Sequence, residues 1–107
     1  MAYDEGLAQR VRELCGDGLD EKKMFGGLGF FDRGNMAFGV MGDVLMVRVG
    51  PQSYESALSQ PHVREMDFTG RPMRGMIYVD PPGIEDDDDL QGWLEKGLKF
   101  TSSLPAK

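Results

Sequence analysis

Apolar and polar positions alternate with a period near two in the middle of the chain and with a helical period at both ends. The middle reads as three strands, 28–32, 35–41 and 44–49, separated by the turn pairs Arg33-Gly34 and Gly42-Asp43. Near the start, Leu7, Val11, Leu14 and Cys15 recur at i, i+4, i+7 and i+8, the apolar stripe of a helix over 4–15. Asp4 and Glu5 suit its positive end, and Gly16 suits its stop. Near the end, Leu90, Trp93, Leu94, Gly97, Leu98 and Thr101 form one face of a helix over 87–102. Between them, Pro51 opens a short helix to 58, and 63–68 and 73–80 read as two further strands. Residues 16–22 read as a polar connector. The expected fold is α+β in two layers: an antiparallel β-sheet of about five strands with helices, in the order α-βββ-α-ββ-α, as one domain over 1–107.

The turns set registers. Gly42-Asp43 as a two-residue loop places Met41 opposite Val44, Gly39 opposite Met46 and Ala37 opposite Arg48. Met36, Phe38, Val40, Leu45, Val47 and Val49 then share the face expected to be core. Arg33-Gly34 as a two-residue loop pairs Phe31 with Met36 and Gly29 with Phe38. That register sets large against small across the strands and sends Leu28 and Phe30 to the outer face, beside Met41 and Met46. An outer face so apolar marks a surface for a partner or for a second copy of the chain.

Composition narrows the function classes. The chain has 107 residues with 18 acidic and 12 basic side chains, a net charge of −6 and a pI near 4.6. Nucleic-acid binding draws most of its affinity from Lys and Arg on phosphates, so direct DNA contact by this chain alone is the least favoured class. No apolar run is long enough to span a bilayer, and the opening residues lack a basic and an apolar region of signal-peptide type. The single cysteine cannot form an internal disulfide, so the expected setting is a reducing cytoplasm.

No catalytic constellation is visible. Cys15 sits on a buried stripe with no histidine near it, and His62 stands alone in a loop. The acidic run 85–89 lacks the spacing and the distal glutamate of a calcium loop and fits the N-terminus of a helix instead. Gly26, Gly27 and Gly29 lead into a strand rather than a helix and lack a following Gly-Lys-Ser/Thr, which argues against a phosphate loop. Arg48 and Arg74 fall side by side if their strands pair, a basic spot on an acidic protein that could hold an anion. No metal and no cofactor is expected.

Lys23-Met24-Phe25-Gly26-Gly27 resembles a segment of the TfoX (Sxy) N-terminal domain family. The likeness continues through the Gly34 turn with Met36 and Phe38, the strand through Arg48, Pro72-Met73, Met76-Ile77-Tyr78, Pro81-Pro82, and a helix bearing Leu90 and Trp93. It implies a small α+β domain, and this chain resembles a stand-alone member. The family is named for a regulator of natural competence that works with a cyclic-AMP-dependent transcription activator. The reading from the residues and the resemblance together is a non-enzymatic regulatory or adaptor protein that acts by protein–protein binding. Its partner-binding residues are expected at Met24, Phe25, Gly26, Gly27, Met46, Arg48 and Arg74. The alternative is a small-molecule or anion sensor at Arg48 and Arg74.

Overall fold

The computed structural model describes residues 3–16, 18–24, 26–66 and 74–106. Its elements run α1 (Glu5–Cys15), β1 (Asp20–Met24), β2 (Gly27–Asp32), β3 (Asn35–Met41), β4 (Val44–Arg48), α2 (Tyr54–Leu58), β5 (Val63–Glu65), β6 (Met76–Val79), a 3-10 turn at Pro81–Gly83, and α3 (Asp87–Ser102). The strands form one open antiparallel sheet of six in the order β1-β2-β3-β4-β6-β5. The fold is α+β, as the sequence pattern indicates. Phe25, the turn expected at 69–72 and the flanking residues of the strands on either side of it lie outside the described residues.

The terminal helices follow their sequence signals. The Asp4 carboxylate accepts from the N–H groups of Gly6 and Leu7, at 2.8 and 3.2 Å, two of the donors a helix start leaves unpaired. The acidic start of α3 acts by charge rather than by capping, since Asp86 makes no side-chain cap bond. Asp87 instead pairs with Arg10 of α1 at 3.0 Å, and Arg10 also donates to the carbonyls of Ile84 and Glu85. The far end of α3 is tied to the β2–β3 turn. Thr101 donates its hydroxyl to Asp32 at 3.0 Å, and Arg33 donates to the Thr101 carbonyl at 2.8 Å.

A sixth strand replaces the expected connector. The Asp-Glu-Lys-Lys run of β1 has no apolar alternation, and all four of these side chains are exposed. It pairs along β2 from Asp20 opposite Phe31 to Met24 opposite Gly27. What holds it is the backbone ladder of an edge strand, a signal that side-chain periodicity does not carry.

The second hairpin has the expected register, with Met41 opposite Val44 and Gly39 opposite Met46. The first departs from expectation halfway along. Its turn is the two-residue Arg33-Gly34 loop, with φ of 52° and 86°, the paired positive values of a type I′ turn. Phe31 faces Met36 as expected, but Phe30 then faces Phe38, so Ala37 is an extra residue bulged out of the ladder. The bulge reverses the faces. Leu28 and Phe30 are core rather than outer, and Met36 is outer rather than core. Burying a Leu or Phe side chain contributes roughly 1.5–3 kcal/mol, which outweighs the tidier large-against-small pairing of the unbulged register.

All three helices contribute to one core on one side of the sheet. Leu7, Ala8 and Val11 of α1, Tyr54 and Ala57 of α2, and Leu90, Trp93 and Leu94 of α3 pack with the inward residues of β2, β3, β4 and β6. The Phe30 and Phe38 rings lie at its centre, 5.6 Å apart and tilted by 40°. α3 lies against β3 at the bulge, where Gly97 meets the Ala37 carbonyl.

Candidate functional site

The face opposite the helices is made by strand alternation. Cross-strand pairing aligns one row of residues over it: Lys22, Gly29, Gly39, Met46, Tyr78 and Arg64. The two glycines in the middle of the row are themselves buried. Met46 lays its terminal methyl over Gly39, and Met41 lays its sulfur over Gly27. Around them Met46, Met66, Met76 and Tyr78 form a second apolar cluster, edged by the half-buried Met36, Met41 and Val44. Five of the chain's eight methionines therefore meet here. Among the described residues no helix contributes to this cluster.

Aromatic rings and cations border this cluster. The Lys22 ammonium stands 5.1 Å from the Phe31 ring centre, and the Arg64 guanidinium 5.2 Å from that of Tyr78 while pairing with Asp80 at 2.9 Å. The centre is dry: Met46 is 4% exposed and Tyr78 8%. The accessible part is the margin of Phe31, Met36, Met41 and Val44. Thioether side chains are unbranched and polarisable, so such a margin can repack against apolar groups of different shape.

The expected partner-binding residues divide between places. Met46 is at the heart of this face, and Gly27 lies beneath Met41. Gly26 makes the β1–β2 turn with φ of 78°, and Met24 is paired opposite Gly27. Phe25 lies outside the described residues. Arg48 and Arg74 do not come together as expected, because Arg48 is paired opposite Met76 rather than beside Arg74. Its guanidinium lies over the Phe100 ring at 5.1 Å, whereas Arg74 lies over Tyr54 at 5.7 Å. Burial raises the Tyr54 phenol above its ordinary pKa, Glu65 adds to that, and Arg74 opposes both. Sequence reasoning set Met41 with Met46 on the outer face but missed Met36, Met66, Met76 and Tyr78 as members of the same surface. The available signal was the high methionine count together with the alternation in β6.

Cys15 is a structural thiol. It packs against the core, and burial pushes its pKa up to about 11. Iodoacetamide labelling of the folded protein should therefore be slow near pH 7 and still be climbing past about pH 10, where a free thiol has levelled off. A plateau by about pH 10 would show an unperturbed thiol. The linked stability runs the same way. A raised folded-state pKa means the contribution is whole below the unfolded value and is lost as pH rises from there toward about 11.

Among the described residues, no three His, Cys, Asp or Glu side chains gather as metal ligands, and no helix is long and apolar enough to cross a membrane. Comparison with curated proteins and with solved structures gives no match. Comparison with family models gives one, the TfoX N-terminal domain, over residues 11–101. That match runs from α1 through all six strands almost to the end of α3, and on it the chain belongs to the TfoX N-terminal domain family.

Proposed function

We propose that this chain is a non-enzymatic regulatory adaptor that binds a protein partner through the methionine-edged face of its sheet. Family membership supports a regulatory role of the competence type. The observation that carries the binding mode is the second apolar cluster, which has no helix over it among the described residues, while all three helices serve the opposite face. The partner it fits is an apolar protein segment with acidic flanks. The accessible margin of Phe31, Met36, Met41 and Val44 supplies apolar contact, and the Lys22 ammonium beside Phe31 suits a carboxylate. A net charge of −6 weighs against nucleic acid in the same place. The single unpaired cysteine and the lack, among the described residues, of a membrane-crossing helix accord with work in the cytoplasm.

The test is a double variant at the accessible margin, Met36→Glu with Met41→Glu. Both side chains are half-buried, so the circular dichroism spectrum and melting temperature should stay close to those of the parent. A stoichiometric partner captured by the tagged parent should bind the variant at least tenfold more weakly, about 1.4 kcal/mol or more. Equal capture of that partner by both proteins would remove this face from the function. Met46→Asp is the wrong probe, because it would bury an unpaired carboxylate and unfold the face it was meant to test.

A further inference from the structure

The helical side of the molecule has a cleft of about 540 Å³ between the corner after β4 and the second half of α3. It is large enough for a small organic ligand. Ser53 and Ser56 stand on one wall, Lys96, Lys99 and Ser103 on the other, with the Phe100 ring between them. Among the described residues, no carboxylate lines it, in a chain with 18 acidic residues.

Arg10, Arg12, Arg33 and Arg64 each have a carboxylate within salt-bridge distance. Among the described residues, Lys96 and Lys99 have none, as is also true of Lys22, Lys23, Arg48 and Arg74. The Arg48 guanidinium stands 5.1 Å from the centre of the Phe100 ring. Lys96 and Lys99 are three apart on one helix, so their side chains leave the same face and can close on one anion. A lysine in the last turn also complements the helix dipole, which accounts for Lys99 by itself. It does not account for the two serine hydroxyls across the gap, or for the lack of acidic residues among the described residues of the wall; Lys96, a turn earlier, stands 5.7 Å from the centre of the Trp93 ring.

The site is built before any ligand arrives. Gly50, with φ of 87°, lies flat on the Phe100 ring, where any side chain would strike the ring carbons. Its other side is pinned to Gly75, whose carbonyl accepts from the N–H groups of Val49 and Gly50 at 2.8 and 3.1 Å. The corner carrying Ser53 and Ser56 is thus fixed to the sheet, and the ring is held in the floor of the cleft.

We propose that this cleft is a binding site for a small organic phosphate, with the phosphate between Lys96 and Lys99, the serine hydroxyls as further donors, and the organic part against Phe100. A phosphate monoester matches two converging ammonium groups in charge, and the ring gives its apolar portion a surface. The cleft and the methionine-edged face lie on opposite sides of the sheet. A ligand here can therefore coexist with a bound protein, and the site stands or falls independently of that reading.

The experiment is a thermal-shift and calorimetric titration of the full chain at 0.15 M salt. The probes are AMP and glucose 6-phosphate, with adenosine and glucose as their uncharged counterparts and inorganic phosphate as the bare anion. At least one phosphate ester should raise the melting temperature by several degrees, its uncharged counterpart should not, and the shift should vanish in Lys96→Gln/Lys99→Gln. Both lysines are exposed, so that variant should melt like the parent without ligand. Lys22→Gln, on the opposite face, should bind as the parent does. No shift with either ester, or an equal shift in the Lys96/Lys99 variant, would overturn the proposal. So would a shift seen only at low salt, which would mark general charge attraction.

Discussion

Phe38→Ala should cost about 3–5 kcal/mol of folding stability, the range for emptying a fully buried aromatic site. The ring is completely buried, stacks on Phe30 at 5.6 Å and touches α3 beside Gly97, so the hole would open where sheet and helix meet. Backbone on both sides limits how far the surroundings can collapse, which favours the upper half of that range. A domain of this size commonly holds about 5–15 kcal/mol in all, so the variant keeps only a fraction of its margin. At roughly 4–8 °C per kcal/mol for a chain near 100 residues, its melting temperature should fall by about 12–40 °C. Urea unfolding followed by circular dichroism measures this directly. A loss under about 1 kcal/mol would mean the ring is not the hub of the core.

Gly97→Ala sets two effects against each other. Alanine is favoured over glycine inside a helix by about 1 kcal/mol. Here the new methyl would lie 2.6 Å from the Ala37 carbonyl oxygen and 3.1 Å from a Phe38 ring carbon. The first of these is backbone, fixed in the bulge, and cannot swing aside as a side-chain tip would. α3 must lift off β3 or the bulge must flatten, and overpacking of this kind costs about 1–3 kcal/mol even where neighbours can adjust. The larger effect is steric, so the expected net is a destabilisation of up to about 2 kcal/mol after the propensity gain. Gly92, on the same helix, has nothing within 4 Å of an added methyl. Gly92→Ala should raise stability by about 0.5–1 kcal/mol, since propensity acts there alone. Opposite signs in one urea experiment would establish the close approach at Gly97; equal signs would refute it.

Legibility in the sequence followed the kind of force at each place. The terminal helices could be read because their apolar positions recur every three or four residues and Asp4 marks the first start. The Gly42-Asp43 hairpin could be read because its turn pair fixes the register by itself. Ala37 could not. A bulge is chosen by what lies on both sides of it, and the deciding neighbour, Gly97, is 60 positions further on. That one residue moved Leu28 and Phe30 inward and Met36 outward. The β1 edge was hidden because Asp20, Glu21, Lys22 and Lys23 are held by main-chain bonds to β2. Met46 and Gly27 of the candidate surface were legible, since alternation places them. Arg48 and Arg74 as a pair were not, because each is held by an aromatic ring from a different helix. Lys96 and Lys99 could be seen on the helix but not the cleft, whose other wall comes from Ser53 and Ser56.

The two ends of the sheet have a consequence for how the molecule can meet its own kind. An open sheet offers unpaired main-chain groups along each outer strand, and these can recruit another chain as a further strand. One border here is β1, with four charged side chains in succession; the other is β5, only three residues long, with Arg64 and Glu65 exposed. An incoming strand would meet ammonium and carboxylate groups at the first border and too short a ladder at the second. Ribbon-like growth is thereby discouraged at both margins, and copies of this domain that associate should do so broadside, through the methionine surface, in closed pairs rather than in lengthening arrays.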